Sequence, residues 1–272
     1  MKRLLSKVLL LISLLLPGFV AADIAVLIHG YHSSGKPWRH IGIVHALVSN
    51  GWNDAGDYVP VLGNIGIPGH TLSGTGKHVV TVELPSESPV EVQADLLNLY
   101  LAAMSTLFPQ QKIHLIAHSA GGIVARLALV RNTLYSEKPL PVVQLITIAT
   151  PHLGSPMAEI AEMAADSPLS FFAPLFGVNE INRAEILYSQ LGREKENYFL
   201  YWLNRQPHPA IAYTSIVRAD DSLFSGDVLV PSANQNMAYV PAIGPAQNQL
   251  LLTPGNHKLK YADGLLLRRL LP

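Results

Sequence analysis

Ile113-His114-Leu115-Ile116-Ala117-His118-Ser119-Ala120-Gly121-Gly122 is the stretch that decides how the rest of the chain is read. An apolar-rich run passes into a turn of small and polar residues. A helical pattern follows at once, at Ile123, Val124, Leu127, Ala128 and Val130. A strand that turns directly into a helix folds back tightly, so the positions two before and two after Ser119 must be small. They are Ala117 and Gly121. The serine then stands exposed at the apex, beside the unpaired N–H groups and the positive dipole end of the helix. Those groups favour a negative oxygen that develops there. Ser119 is therefore the candidate nucleophile.

Outward from this turn the chain alternates. Asp23 to His29 is a continuous apolar run, as expected of a strand buried on both faces. Trp38, Ile41, Ile43, Val44 and Leu47 follow with helical spacing, and the pattern stops at Asn50-Gly51. Residues 53–76, rich in Gly and Pro, are expected to form a loop. His78 to Leu84 reads as a strand ended by Pro85. Pro89 to Phe108 reads as a helix, with Ser88 as N-cap and Pro89 at its first position. Val142 to Ala149 and Ala210 to Val217 supply further strands, and Ala262, Leu265, Leu266 and Leu270 mark a closing helix. Such alternation predicts an α/β fold with a mostly parallel central sheet and helices on both faces. The rhythm breaks over about residues 155–206. Phe171, Phe172, Phe176, Tyr188, Tyr198, Phe199, Tyr201 and Trp202 suggest there a helical cap insertion over the serine.

The N-terminal 22 residues have a different character. Lys2, Arg3 and Lys7 precede an apolar run from Val8 to Leu16, and Val20-Ala21-Ala22 closes the segment with small residues. This is the pattern of a cleaved secretory signal peptide, leaving Asp23 to Pro272 as the working domain and an exported location, periplasmic or secreted. The apolar run is shorter than the roughly 20 residues of a spanning helix. With no cysteine, neither a lipoprotein anchor nor a disulfide can form. Without residues 1–22 the chain carries 16 Lys and Arg against 19 Asp and Glu, a net charge of −3. No basic face or run points to nucleic acid.

With its serine turn, a preceding His29-Gly30 pair and a late histidine, the chain resembles the α/β-hydrolase superfamily, in particular its bacterial secreted lipases and esterases. Ala117 departs from the superfamily's usual pattern, which has glycine there. The resemblance implies an oxyanion hole made by the N–H groups of Tyr31 and Ala120. It implies an acid that precedes a short apolar stretch ending in Pro, which selects Asp227 ahead of Val228-Leu229-Val230-Pro231. Asp221, nearer the preceding strand, is the alternative acid, and Asp220 reads as a solvated loop residue. It also implies the order serine, acid, histidine along the chain. Of the 11 histidines only His257 lies downstream of the serine and both candidate acids, in a loop just before the closing helix. His152, in Thr150-Pro151-His152-Leu153-Gly154-Ser155, comes too early and reads as a packing residue.

The function that follows is cleavage of carboxylic esters through an acyl-enzyme on Ser119, without a cofactor. An aromatic cap points to a lipid-like or acyl small-molecule substrate and to transient contact with a lipid surface. A thioesterase, amidase or acyltransferase would use the same groups, and a non-catalytic lipid-binding relative would keep the same fold. P-loop and dinucleotide motifs are absent. His29 with His32, and His114 with His118, have spacings a zinc site could use, but no adjacent acid completes either. No acid cluster specifies calcium.

Overall fold

The computed structural model describes residues 23–61, 64–66, 76–108, 111–158, 184–219 and 227–272. Residues 1–22, Asp221 and most of the proposed insertion lie outside them. In chain order the elements are β1 (Asp23–Ile28), α1 (Lys36–His40), α2 (Ile43–Val48), β2 (Trp52–Val61), β3 (Asn64–Gly66), β4 (Lys77–Val82) and α3 (Val90–Leu107). There follow β5 (Lys112–His118), α4 (Ala120–Tyr135), β6 (Val142–Ile148), α5 (Glu185–Leu191), α6 (Phe199–Leu203), β7 (Ala212–Arg218), β8 (Asn248–Thr253) and α7 (Tyr261–Leu270). The sheet runs β3-β2-β4-β1-β5-β6-β7-β8. Seven of its strands are parallel, and only the short β3 pairs antiparallel, with β2.

Both faces of the sheet are covered, which explains why the strands read as unbroken apolar runs. Ile24, Val26 and Ile28 alternate with Ala25 and Leu27 along β1, and all five are fully buried. The first set packs with Val80, Val82, Ile113 and Leu115 against α3 and α4, through Leu97, Leu101, Ile123 and Leu127. The second packs with Val79, Ile116, Ile146 and Ile148 against α1, α2 and α7, through Trp38, Ile43, Leu47 and Leu267. Each such aliphatic side chain contributes about 1.5–3 kcal/mol by leaving water.

Three expectations are corrected. The Gly- and Pro-rich segment 53–76 is not a loop throughout, since it contributes the end strands β2 and β3. Trp52 and Tyr58 of β2 are each 1% exposed. Gly56, at φ 83°, lies where the β2–β4 register slips between Asp54 and Asp57, so the residues that resemble a loop serve a bulge. The helix after β1 is broken into α1 and α2 by Gly42, at φ 87°. In the third helix Pro89 is itself the extended N-cap and Val90 the first helical residue, so Ser88 lies one place outside. The edge strand β8 carries no strand signal in the sequence, because Leu250-Leu251-Leu252 shows neither alternation nor β-branched residues.

Candidate active site

The turn between β5 and α4 holds Ser119 at φ 53° and ψ −132°, a conformation uncommon for a residue with a side chain. It persists because its surroundings fix it. The Ser119 N–H donates to Ile148 O at 2.9 Å, and Thr150 Oγ1 donates to Ser119 O at 2.9 Å. A Cβ built on Gly121 would overlap the carbonyl of His29, so the helix can approach β1 only with glycine there. The small-residue requirement read from the sequence thus has a named partner.

Ser119, His257 and Asp227 come together. His257 Nε2 lies 2.7 Å from Ser119 Oγ, and His257 Nδ1 lies 2.7 Å from Asp227 Oδ2. A carboxylate only accepts, so Nδ1 carries the ring proton and Nε2 accepts the serine hydroxyl. The Asp227 side chain is fully buried and that of His257 is 15% exposed. Asp227 Oδ1 accepts the N–H groups of Leu229 at 2.9 Å and Val230 at 3.0 Å, and Oδ2 also accepts Gln235 Nε2 at 2.9 Å. Four donors to one carboxylate compensate its removal from water. Asp221 lies outside the described residues.

The Gly30–Tyr31 peptide sits against the serine. A Cβ on Gly30 would come 2.8 Å from Ser119 Cβ and 3.3 Å from the Ala120 nitrogen. His29 sets this peptide. The Leu84 N–H donates to His29 Nε2 at 3.0 Å, which forces the proton onto Nδ1, and Nδ1 donates to Gly30 O at 3.0 Å. Carbonyl and N–H are opposed in a trans peptide, so anchoring Gly30 O also aims the Tyr31 N–H. Burial holds the His29 pKa below its ordinary value, so the ring keeps the tautomer that does this. The Tyr31 hydroxyl accepts a hydrogen bond from Tyr188 of α5 at 2.6 Å, which ties the insertion to the Gly30–Tyr31 loop.

The loop that carries His257 is clamped from below. His118 Nε2 donates to His257 O at 2.7 Å, and Arg218 Nη2 donates to Lys258 O at 3.2 Å. Arg218 also forms a two-pronged ion pair with Asp263 of α7, at 2.8 and 2.6 Å, with both side chains at most 2% exposed. His152 is not in this constellation. It is fully buried, its Nε2 donates to Thr147 Oγ1 at 3.0 Å, and Arg126 Nη1 faces its Nδ1 at 3.4 Å. The histidine pairs with zinc-like spacing are otherwise engaged. His29 holds Gly30 and Leu84, while His114 hydrogen-bonds Gln144 at 2.9 Å.

Two residues of this site carry no signal of their role in the sequence. The His29-Gly30 pair is legible there, although one partner of His29, the Leu84 N–H, lies 55 residues away. His118 stands beside Ser119, but its partner lies 139 residues away. Gln235 carries no local signal at all.

A seven-stranded parallel sheet, a serine on the turn after its central strand and a Ser–His–Asp chain at that strand's end define an α/β-hydrolase fold. Residues 88–165 match the model of the PGAP1-like alpha/beta domain family, a span that contains the serine turn. Comparison of the sequence with curated proteins finds no match. Among solved structures, the lin2722 gene product of Listeria innocua superimposes with a TM-score of 0.59 at 12% identity, over 86% of this chain and 85% of that one. The mature lipase BlEst2 of Bacillus licheniformis gives 0.54 at 17% identity, over 92% and 91%. Phospholipase PlaB of Legionella pneumophila gives 0.50 at 15% identity, over 80% of this chain and 46% of that one.

Proposed function

We propose that the protein is a serine hydrolase that cleaves carboxylic esters, with lipid-like acyl groups as its substrate class, through an acyl-enzyme on Ser119. The observation that carries this reading is the unbroken hydrogen-bond line from Ser119 Oγ through His257 to the buried, four-donor carboxylate of Asp227. His257 takes the Ser119 proton as Oγ attacks the ester carbonyl. The N–H groups of Tyr31 and Ala120 receive the oxyanion, where loss of one donor raises the barrier by ~3 kcal/mol. His257 then protonates the leaving alcohol, and a water activated by the same imidazole releases the acid. Asp227 stays ionised and stabilises the imidazolium. No cofactor enters the reaction.

The preference for apolar acyl groups is supported by the aromatic insertion between β6 and β7. Its described part forms α5, whose Tyr188 meets Tyr31 beside the serine, and α6, where Trp202 and the preceding Tyr198 remain 43% and 46% exposed along the groove beside Glu91, Leu127 and Arg131. The exposed Tyr198 and Trp202 suit transient contact with a lipid surface. An exported location, after removal of residues 1–22, belongs to this reading. Labelling by a fluorophosphonate probe tests it, with Ser119→Ala as control. Labelling confined to the parent chain, with turnover of esters above thioesters and amides, is expected. Absence of labelling in a folded chain would contradict it.

A further inference from the structure

His118 is the last residue of β5 and the chain neighbour of Ser119. Its side chain leaves the sheet on the same face as that of Ile116, the face packed against α2 and α7. There it meets the loop that carries His257, whose side chain crosses the strand end to reach Ser119. His118 Nε2 lies 2.7 Å from the backbone oxygen of His257, and the two rings are 5.2 Å apart. A carbonyl can only accept, so Nε2 carries a proton and donates it.

We propose that His118 is a positioning residue, which acts by holding the backbone carbonyl of His257 so that the imidazole is delivered to the Ser119 hydroxyl. This rests on the reading of Ser119 and His257 as nucleophile and base. The geometry gives the reason. With the His257 carbonyl fixed, only two side-chain torsions separate the anchored backbone from Nε2. The adjoining carbonyl, that of Lys258, is fixed by Arg218, and Arg218 is fixed by Asp263. Asp263 Oδ2 in turn accepts the Lys260 N–H at 2.8 Å. Both sides of the loop are therefore anchored, one of them to the residue next to the nucleophile. The end of β5 consequently sets the serine and its base together.

Histidine suits this place for a second reason. The donor faces a ring that becomes positive during each turnover, so it must not be charged. Burial, reinforced by the nearby His257, lowers the His118 pKa to about 4, and the ring remains a neutral donor. A lysine would donate but repel the imidazolium, and an aliphatic residue would fill the space without donating. Glutamine is neutral, and its amide N–H can reach to a similar distance.

The test compares His118→Leu and His118→Gln in the full chain, with folding checked by near-UV circular dichroism. Two readouts are needed. The first is kcat and KM on p-nitrophenyl esters. A small misplacement of a reacting group costs on the order of 10–100-fold in rate, so kcat should fall by about that much in the leucine variant, with little change in KM. The glutamine variant should recover most of the loss. The second readout is the downfield proton resonance of the His257 Nδ1–H bound to Asp227. It should broaden or vanish in the leucine variant and persist in the glutamine variant. Unchanged kcat and resonance in folded His118→Leu would overturn the proposal, as would equal losses in both variants. A parent chain that hydrolyses no ester, but whose resonance follows the donor at position 118, would uphold the positioning role and sink the esterase reading instead.

Discussion

The side-chain amide of Gln235 donates to Asp227 at 2.9 Å, on the same carboxylate oxygen that faces His257. Its own oxygen accepts the Arg218 N–H at 2.8 Å, which fixes which end of the amide points at the acid. The orientation of Asp227 therefore depends on a glutamine eight residues further along the same connection between β7 and β8, in the helical turn Ser232–Gln235. Gln235→Leu should lower kcat by about 10-fold, because one hydrogen bond to a charged group is worth about 1.5–3 kcal/mol. Gln235→Glu should be worse, as it sets a second acceptor against the carboxylate. Steady-state kinetics on one ester decide it. A glutamate variant as active as the parent would show that Gln235 does not orient the acid.

The Gly30–Tyr31 loop, proposed above to hold the oxyanion, yields a second expectation. His29→Phe removes the donor to Gly30 O and the acceptor for the Leu84 N–H at one stroke. The unpaired, buried N–H costs about 1–3 kcal/mol of stability. The untethered Gly30–Tyr31 peptide should separately reduce kcat, toward the ~10²-fold seen when one oxyanion donor is lost. Thermal melting and kcat read the two effects independently. An active but less stable variant would assign His29 a structural role only.

Gly121 should tolerate no side chain. Gly121→Ala places a methyl group into the His29 carbonyl, and overpacking of this kind costs about 1–3 kcal/mol or more. Gly51→Ala is the comparison, since the space around Gly51 is open although its φ is 86°. Chemical denaturation should show the larger loss for Gly121→Ala, with activity falling as well. Equal losses would mean that backbone strain, and not the close approach of α4 to β1, governs the site.

Acid should destabilise the fold through its buried histidines. Burial, followed by the charge of Arg126, lowers the His208 pKa to about 3 and that of His152 well below its usual value. The unfolded chain binds these protons near the ordinary histidine pKa of about 6.5, whereas the native state does not bind them until far lower pH. Between those limits the unfolded state holds more protons, so stability falls as pH drops below about 6.5 toward 3. Arg126 Nε donates to His208 Nε2 at 3.1 Å, and Arg126 Nη2 to Asn204 at 2.7 Å, so the α4 guanidinium also holds the end of the insertion. His208→Gln should flatten the decline in melting temperature between pH 7 and 4. A decline identical to that of the parent would remove His208 from the account.

How much of this was legible in the sequence depends on the range of each signal. The parallel sheet could be read because burial on both faces leaves continuous apolar runs, as in β1 and β5. The serine turn could be read because close backbone approach demands glycine at fixed spacing. β2 could not, since Gly56 and its neighbouring aspartates serve a bulge, and bulge and loop call for the same residues. The donors around the site were also hidden. Nothing within a few residues of Gln235 or His118 shows that one will meet Asp227 and the other the His257 backbone.

The most direct test of the whole reading is hydrolysis of p-nitrophenyl esters from short to long acyl chains, by the chain lacking residues 1–22 and by its Ser119→Ala variant. Turnover that favours the longer acyl chains and falls by at least about 10⁴-fold in the variant is the expected result. A folded chain with no turnover of any ester, or an alanine variant as active as the parent, would contradict a serine esterase centred on Ser119.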